Sequence, residues 1–161
     1  PAHILGWAGR PLGCHHWMGE EAYDAERGAQ LSPTGAMTHR APVMCCAISP
    51  ADAPVAHIAS GSDDGTCLLW DRRTNRVLHE LRDHTAEVKR LRFSPTGRFL
   101  ASTSGDRRVL LFDCRDGGAS QFAALQGHED FTFDVAWDHE ERFVVSASHD
   151  MTVRRWAPDA T

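Results

Sequence analysis

Three times along this chain a serine, an aspartate and an aromatic residue recur in the same frame. In every set the serine lies four residues before the aspartate, and the aspartate lies six residues before the aromatic residue. The sets are Ser60, Asp64 and Trp70; Ser102, Asp106 and Phe112; and Ser146, Asp150 and Trp156. The aromatic positions 70, 112 and 156 are 42 and then 44 residues apart. A fixed period of about 40–45 residues predicts a repeat array, in which each unit buries its apolar face by stacking on its neighbours.

The strand pattern of one unit is clearest across residues 88–125. Val88, Leu91 and Phe93 give an imperfect period-two strand, and the turn 94–97 follows it with proline and glycine. Residues 99–102 and 109–112 predict a second and a third strand, and residues 121–125 a weak outer strand. Four short strands at intervals of about 8–12 residues indicate an all-β fold. No window shows a convincing helical stripe.

Several short motifs recur in register with this pattern. They are Gly127-His128, Ser62-Asp63-Asp64-Gly65, Trp70-Asp71 and the segment 93–102. Through them, residues 39–156 resemble WD40 repeats, the blades of a β-propeller. The resemblance implies a partial propeller of about three four-stranded antiparallel blades at 39–83, 84–127 and 128–161, the last lacking its outer strand. Residues 23–38 are interpreted as the tail of a degenerate preceding blade, and residues 1–22 as an irregular N-terminal segment.

In that family a histidine, the serine, the aspartate and the third-strand tryptophan form a hydrogen-bonded tetrad. The resemblance implies tetrads at His39, Ser60, Asp64 and Trp70; at His84, Ser102, Asp106 and Phe112; and at His128, Ser146, Asp150 and Trp156. A buried carboxylate needs donors, and imidazole N–H and serine O–H supply them. We therefore interpret these groups as structural and not as a proton relay.

Two of the three tetrads depart from the family pattern. His84 and His128 each precede their aspartate by 22 residues, whereas His39 precedes Asp64 by 25, because residues 51–56 add three residues to a turn. Phe112 replaces tryptophan and cannot donate a hydrogen bond. The second tetrad is therefore expected to be partial, and the loss of Asp106 to destabilise the fold less than the loss of Asp150.

Composition narrows the class of protein. The 161 residues carry a net charge of −5, which gives no electrostatic footprint for nucleic acid. No apolar run reaches the length of a membrane span, and no secretory signal pattern is present. Five cysteines without a disulfide-framework spacing favour a reducing compartment. We expect an intracellular protein, cytoplasmic or nuclear, that binds neither nucleic acid nor membrane.

The length is too short for a closed ring. Propellers typically close with about 4–8 blades, and an open array leaves sheet faces and edges unprotected. The chain is therefore expected to be a fragment of a larger propeller protein, with assembly of two chains into one ring as the alternative.

No enzymatic motif is found. The glycines at 61 and 65 belong to a blade turn, whose Asp63-Asp64 pair would repel phosphate. Cys14-His15-His16 is one local cluster without a second ligand pair, which is a weak signal for a metal. The sequence predicts no catalytic residues, no metal site and no cofactor.

A partner-binding surface is predicted at the start of each inner strand and at the turn before each tetrad aspartate. Counting from each histidine gives Pro42, Met44, Asp63, Glu87, Lys89, Phe131, Phe133 and His149. Phe131 and Phe133 stand out because aromatic side chains concentrate interface energy. Thr132 between them aligns with Val43 and Val88, a core-facing position, so both phenyl rings are expected at the rim near His149.

One further motif suggests a particular partner. Trp70-Asp71-Arg72-Arg73 resembles the WDxR box of substrate receptors that join cullin-RING ubiquitin ligases through a propeller adaptor. Asp71 and Arg73 would make that contact, since the planar guanidinium suits bidentate pairing with a carboxylate. The function implied by the repeats is a non-catalytic protein–protein interaction scaffold. The alternatives are such a ligase substrate receptor, or the regulatory propeller of a multidomain enzyme.

Overall fold

A computed structural model describes residues 22–24, 29–31, 39–53, 57–74 and 76–157. In this part of the chain the helical structure is one turn of 3-10 helix at Arg115–Gly117. The described strands are β1 (Ala22–Asp24), β2 (Ala29–Leu31), β3 (Val43–Ile48), β4 (His57–Ser62), β5 (Cys67–Asp71), β6 (Arg76–Leu81), β7 (Val88–Phe93), β8 (Phe99–Ser104), β9 (Val109–Asp113), β10 (Ser120–Leu125), β11 (Thr132–Trp137), β12 (Val144–Ser148) and β13 (Val153–Trp156). None of the described helical structure is long and apolar enough to cross a membrane.

The strands after residue 39 form three antiparallel sheets. Each sheet is a meander in chain order: β3 to β6, β7 to β10, and β11 to β13. We call these sheets blades one, two and three. Trp70, Phe112 and Trp156 lie on the third strand of their blades, at β5, β9 and β13. The predicted all-β fold of antiparallel blades is confirmed.

The first hairpin of blade two illustrates how the sequence sets the strands. On β7, Val88 and Leu91 are fully buried, whereas Arg92, which follows Leu91 in the strand, is exposed. The turn after β7 closes with the Gly97 amide on the Ser94 carbonyl at 2.8 Å, and Gly97 has φ 73°, which favours glycine. The Ser94 hydroxyl accepts the Phe99 amide at 3.1 Å, so the same serine holds both ends of the turn.

The blades pack face to face, with the inner strands β3, β7 and β11 as neighbours. Between blades one and two, the core contains Cys45, Leu69, Val88 and Leu91. Gly61 lies at the tightest point, where an added Cβ would come within 2.6 Å of Val88 Cγ1. The sequence of blade one therefore accepts no side chain at this position without a shift of the core.

Blades two and three meet through a second core and several polar contacts. Val109, Leu111, Val135 and Val144 form the apolar part. Thr132, fully buried, donates its hydroxyl to the Ser104 carbonyl and accepts the Ser104 amide, both at 2.9 Å. Blade three thus has a threonine where blade two has Val88, and its hydroxyl pairs with the backbone amide and carbonyl of the neighbouring blade.

Val43 does not share the burial expected from its alignment. Val88 and Thr132 face the blade that precedes their own, and both are fully buried. Val43 is exposed, because no other strand among the described residues 39–157 covers that face of blade one. The expectation that position 43 faces a core is therefore wrong for this part of the chain.

The remaining predictions about domain boundaries stay predictions. β1 and β2 pair as an antiparallel hairpin, with Tyr23 opposite Gln30, in a unit of the chain separate from the blades. Blade three has three described strands, and residues 158–161 lie outside the described residues. Most of the proposed irregular segment 1–22, including Cys14-His15-His16, also lies outside them.

Candidate functional site

The tetrad of blade three is a continuous hydrogen-bonded chain. The Trp156 indole N–H donates to Ser146 Oγ at 2.8 Å, Ser146 Oγ lies 2.7 Å from His128 Nε2, and His128 Nδ1 lies 2.7 Å from Asp150 Oδ2. A carboxylate can only accept, so Nδ1 carries the hydrogen and, in the neutral ring, Nε2 accepts the serine hydroxyl. All four side chains therefore have consistent partners.

Blade two repeats the arrangement without the indole. His84 Nε2 lies 2.6 Å from Ser102 Oγ, and His84 Nδ1 lies 2.9 Å from Asp106 Oδ2. Phe112 is fully buried and supplies no donor to Ser102. Arg108 contributes instead at the other end, where its Nε and Nη2 donate to Asp106 Oδ2 at 3.1 and 2.7 Å.

This geometry removes the reason for expecting a weaker Asp106. The tryptophan that blade two lacks would donate to the serine, as Trp156 does, and not to the aspartate. Asp106 also has the charged Arg108 beside it, whereas Asp150 has the hydroxyl of Thr152 at 2.6 Å. Because a guanidinium strengthens a hydrogen bond to a carboxylate, Asp106 is held at least as firmly as Asp150.

In blade one the direct contact between histidine and aspartate is replaced. His39 Nδ1 lies 4.0 Å from Asp64 Oδ1, beyond a hydrogen bond. Thr66 bridges the two, because its hydroxyl lies 2.9 Å from His39 Nδ1 and donates to Asp64 Oδ1 at 2.6 Å. The rest matches blade three, with Ser60 Oγ 2.8 Å from His39 Nε2 and 3.0 Å from the Trp70 indole nitrogen. The implied tetrad is therefore a chain of five side chains here.

A second serine in every repeat belongs to the same network and was missed by the sequence reasoning. Ser62, Ser104 and Ser148 each lie two residues before the tetrad aspartate, and each hydroxyl accepts that aspartate's amide at 3.1–3.3 Å. Each also donates to a carbonyl just before the inner strand, at 3.0–3.1 Å. Their common frame in the sequence was a signal that could have identified them.

The aspartates fix backbone as well as side chains. Asp64, Asp106 and Asp150 each accept the amide two residues ahead and the amide of the residue that follows the tetrad histidine, at 2.9–3.1 Å. These bonds tie the turn before the third strand to the entry of the inner strand. The three networks therefore position the end of each blade.

Hydrogen bonds keep these carboxylates ionised. Burial would raise the pKa of Asp64, but bonds from Thr66, from two backbone amides and from Ser62 lower it to about 2. Burial likewise opposes ionisation of Asp106, and His84 and Arg108 hold its pKa well below its usual range. The His84 side chain is almost inaccessible. A buried proton with a permanent acceptor suits a structural network better than exchange with a substrate.

The residues predicted to bind a partner occupy equivalent places in the three blades. The amides of Asp63, Gly105 and His149 donate to the carbonyls of Pro42, Glu87 and Phe131, at 3.0, 3.0 and 2.9 Å. We call the surface formed by Pro42, Met44, Asp63, Glu87, Lys89, Phe131, Phe133 and His149 the rim face. The structure brings these residues to matching blade ends, and their role in binding stays a prediction.

The chemistry of the rim face differs from blade to blade. In blade two Lys89 Nζ lies 2.8 Å from Glu87 Oε1, so the two charges satisfy each other. In blade one Met44 is half exposed. The aligned residues of blade three are Phe131 and Phe133, each 43% exposed.

Phe131 and Phe133 both lie beside His149. The centroid of each phenyl ring lies 5.9 Å from that of His149, with Phe133 edge-on to the imidazole. His149 Nδ1 lies 2.8 Å from Asp130 Oδ2, and Asp130 Oδ1 accepts the Phe131 amide at 2.8 Å. We call Asp130, Phe131, Phe133 and His149 the aromatic patch. Asp130 is the member that the sequence reasoning missed.

The predicted ligase contact lies in the turn after β5. Asp71 Oδ1 accepts the amides of Arg73 and Thr74, at 2.7 and 3.2 Å, which leaves the Arg73 side chain exposed. Asp113 accepts the Arg115 amide in the same way in blade two, and it also pairs with the Arg115 guanidinium at 2.7 Å. The turn is thus common to two blades, and the orientation of the arginine distinguishes them.

The sequence predicts no metal site and gives only a weak signal at residues 14–16. Among the described residues no group of three or more His, Cys, Asp or Glu side chains could hold a metal ion. The cluster at residues 14–16 lies outside that part of the chain.

Comparison with known proteins identifies the same three repeats. The family model for the WD domain, G-beta repeat (WD40) matches residues 32–71, 75–113 and 119–157. The human WD repeat and SOCS box-containing protein 1 is 30% identical over 103 residues, which is 63% of this chain and 24% of that protein. The rice chromatin assembly factor 1 subunit FAS2 homolog is 33% identical over 107 residues, 63% of this chain and 21% of that protein. The chain thus spans about a quarter or less of these curated relatives.

A solved structure shows the same fold. The structure of U3-55K superposes with a TM-score of 0.67 at 23% identity, over 75% of this chain and 37% of that one. At this identity the likeness concerns the fold alone.

Proposed function

Because the chain belongs to the WD40-repeat family, whose members are generally protein-interaction scaffolds, we propose that it is a non-catalytic interaction scaffold and part of a larger propeller protein. No cofactor is invoked, and neither nucleic acid nor membrane is a proposed partner.

The observation that carries this proposal is the rim face, and above all Phe131 and Phe133. Each residue is 43% exposed, and hydrogen bonds from Ser148 and His149 and to Asp150 fix the backbone beside them. Exposed aromatic rings on a rigid surface lose little conformational entropy on binding and are enriched among interface residues. These features support blade three as the contact site that we propose.

The test measures which proteins, and how much of each, are captured from a lysate by the tagged chain and by the double variant Phe131→Ser/Phe133→Ser. We expect one or more proteins captured by the unmodified chain to be lost with the variant, while its melting temperature stays nearly unchanged. The matched control is Phe122→Ser, which removes an exposed ring on the outer strand β10. Equal capture by both variants, or a large fall in melting temperature for the double variant alone, contradicts the proposal.

The second candidate function is that of a substrate receptor in a cullin-RING ubiquitin ligase. It is supported by Arg73, whose guanidinium has no ion-pair partner within 4.0 Å among the described residues, whereas Arg115 is paired with Asp113. The human relative is named for a SOCS box, which is compatible with a ligase role.

The two arginines give a matched pair of variants for this candidate. We expect Arg73→Glu to abolish binding to a purified propeller adaptor of cullin-RING ligases, and Arg115→Glu to leave it unchanged. Failure of the unmodified chain to bind the adaptor rules this candidate out and leaves the scaffold proposal standing.

We also propose that the protein works in a reducing compartment inside the cell, in the cytoplasm or nucleus. The four cysteines in the described part of the chain are free thiols. Burial raises the pKa of Cys45 to about 11 and that of Cys114 to about 12, so these thiols serve as small apolar core groups. Fluorescence localisation of the tagged full-length protein tests this proposal, and secretion contradicts it.

A further inference from the structure

Resting on the proposed function, we propose that the aromatic patch of blade three receives an arginine side chain presented by the partner protein. The guanidinium would stack on the phenyl rings of Phe131 and Phe133 and donate hydrogen bonds to Asp130 and His149. The occupant is thus defined by its chemistry as a planar cation rich in N–H donors.

The first step of the argument is that the polar atoms at the surface of the patch accept hydrogen bonds. Asp130 accepts one bond at each oxygen, from His149 Nδ1 and from the Phe131 amide, and each oxygen keeps a further lone pair. Because the carboxylate takes the hydrogen on Nδ1, the Nε2 atom of the neutral His149 ring is an acceptor. The bond from His149 and the Phe131 amide also hold the pKa of Asp130 below its usual range. A ligand that fits these atoms must donate.

The second step concerns the rings. The faces of aromatic rings carry negative electrostatic potential and attract cations, and guanidinium does so most often because it is planar and weakly hydrated. Phe131 lies tilted by 34° to His149 and Phe133 by 73°, so the two phenyl faces are not parallel. Both centroids lie 5.9 Å from that of the imidazole, so both rings are close to the His149–Asp130 pair. A cation bound beside Asp130 can contact the carboxylate and the faces of the neighbouring phenyl rings.

The third step is that neighbouring charges do not already fill this role. Arg90 of blade two is paired with Asp134 at 3.2 Å. Arg107, from the adjacent turn of blade two, lowers the pKa of Asp130 through space but makes no ion pair with it within 4.0 Å among the described residues, so the carboxylate stays open to a second cation. In blade two the aligned rim positions carry the Glu87–Lys89 pair, which is satisfied internally at 2.8 Å. Blade three is therefore the part of the described rim face where exposed phenyl rings and a carboxylate occur together, which suits a cation from the partner.

The test uses backbone amide NMR of the 161-residue chain with a capped Gly-Gly-Arg-Gly-Gly peptide. We expect saturable shifts confined to the amides of Phe131, Phe133 and His149. The same peptide with citrulline in place of arginine keeps the shape but loses the charge, and we expect it to bind about tenfold more weakly. The lysine peptide is expected to fall between the two, since ammonium cannot stack.

Variants locate the binding on the surface. Asp130→Asn removes the negative charge with little change in volume and is expected to weaken binding of the arginine peptide about tenfold. Glu140→Gln, which neutralises an exposed carboxylate in the turn between β11 and β12 of the same blade, outside the rim face, is the matched control and should leave binding unchanged. Dispersed amide signals elsewhere in each variant show that the fold is intact.

Three results overturn the inference: no localised shifts, equal binding of the arginine and citrulline peptides, or equal binding of arginine and lysine. Its failure is distinguishable from failure of the proposed function. If partner capture depends on Phe131 and Phe133 while no arginine peptide binds, the scaffold proposal stands and this inference falls. If the peptide binds but no partner is captured through the patch, the arginine site stands and the scaffold proposal falls.

Discussion

Replacing His57 with phenylalanine is expected to stabilise this protein, although the histidine is fully buried. The His57 side chain lies at the start of β4, and neither of its ring nitrogens has a hydrogen-bond partner among the described residues. Its ring stacks on Phe93 with a centroid distance of 6.4 Å and an angle of 17°. One repeat later Phe99 takes the same place and stacks on Trp137 at 5.8 Å and 18°.

The backbone around the two positions is also the same. The His57 amide donates to Ser49 Oγ at 2.9 Å, and the Phe99 amide donates to Ser94 Oγ at 3.1 Å. The Ser49 and Ser94 amides return bonds to the His57 and Phe99 carbonyls, at 3.0 and 2.8 Å. A phenyl ring at position 57 therefore needs no change in local backbone.

The size of the effect follows from two opposing contributions. Each buried polar group without a partner costs about 1–3 kcal/mol, and inserting a slightly larger ring into a packed core costs about 1–3 kcal/mol. His57 contributes two such groups, so the expected net gain is about 1–3 kcal/mol, or roughly 2–12 °C in melting temperature.

Thermal and urea unfolding at pH 7.5, followed by circular dichroism, measure this gain. His79→Phe is the control, because His79 is exposed on β6 of the same blade and should change the free energy of unfolding by less than about 0.5 kcal/mol. A lower midpoint for His57→Phe than for the unmodified protein refutes the reasoning.

The same substitution should alter the pH dependence of stability. Burial lowers the pKa of His57 below its usual 6.5, with Asp71 opposing this effect and His79 adding to it. Between about 6.5 and the lower folded-state pKa, the unfolded chain binds the proton more readily, so stability falls as the pH falls. Above pH 6.5 the group adds no pH dependence, and the loss of stability is complete below the folded-state pKa. The variant should therefore lose less stability than the unmodified protein between pH 7 and pH 5, and equal losses contradict this explanation.

Two further predictions concern the blade interfaces and the buried networks. Gly61→Ala should cost about 1–3 kcal/mol in urea unfolding, because its Cβ would lie 2.6 Å from Val88 Cγ1, whereas Gly118→Ala, with 3.8 Å to its nearest neighbours, should be nearly neutral. Asp106→Ala should cost about 2–3 kcal/mol, because it leaves the buried His84 and the partly buried Arg108 guanidinium without their carboxylate. It should lower the urea midpoint at least as much as Asp150→Ala; a clearly smaller loss would restore the ranking expected from the missing tryptophan.

The fold was predictable because the same residue types recur at a fixed spacing in every repeat. Turn residues and alternating apolar positions in blade two were enough to predict β7 to β10, and the frame of Ser102 and Asp106 was enough to align the blades. Those features depend on local backbone geometry, which is the same in every repeat.

The side-chain networks were predictable only in part. The sequence shows that Asp64 keeps the frame of Asp106, but it does not show whether a carboxylate reaches the imidazole directly. In blade one the gap is 4.0 Å and Thr66 fills it. Likewise His57 has the polarity of a surface residue, and only the stacking of blade two on blade one shows that it is fully buried. Such outcomes depend on packing between repeats, which no single repeat encodes.

The networks and the rim face together separate stability from recognition within each repeat. Ser148 donates to the Asp130 carbonyl and His149 donates to the Phe131 carbonyl, so the buried network of blade three ends directly beneath the aromatic patch. The equivalent bonds in the other blades support Pro42 and Glu87, which have different chemistry. These bonds reach the backbone of the rim residues, and that backbone geometry repeats from blade to blade. A rim side chain can therefore change without loss of the hydrogen bonds that hold its backbone. Binding specificity in this chain is therefore expected to reside in the few side chains of the rim face, and stability in the histidine, serine and aspartate networks that hold it.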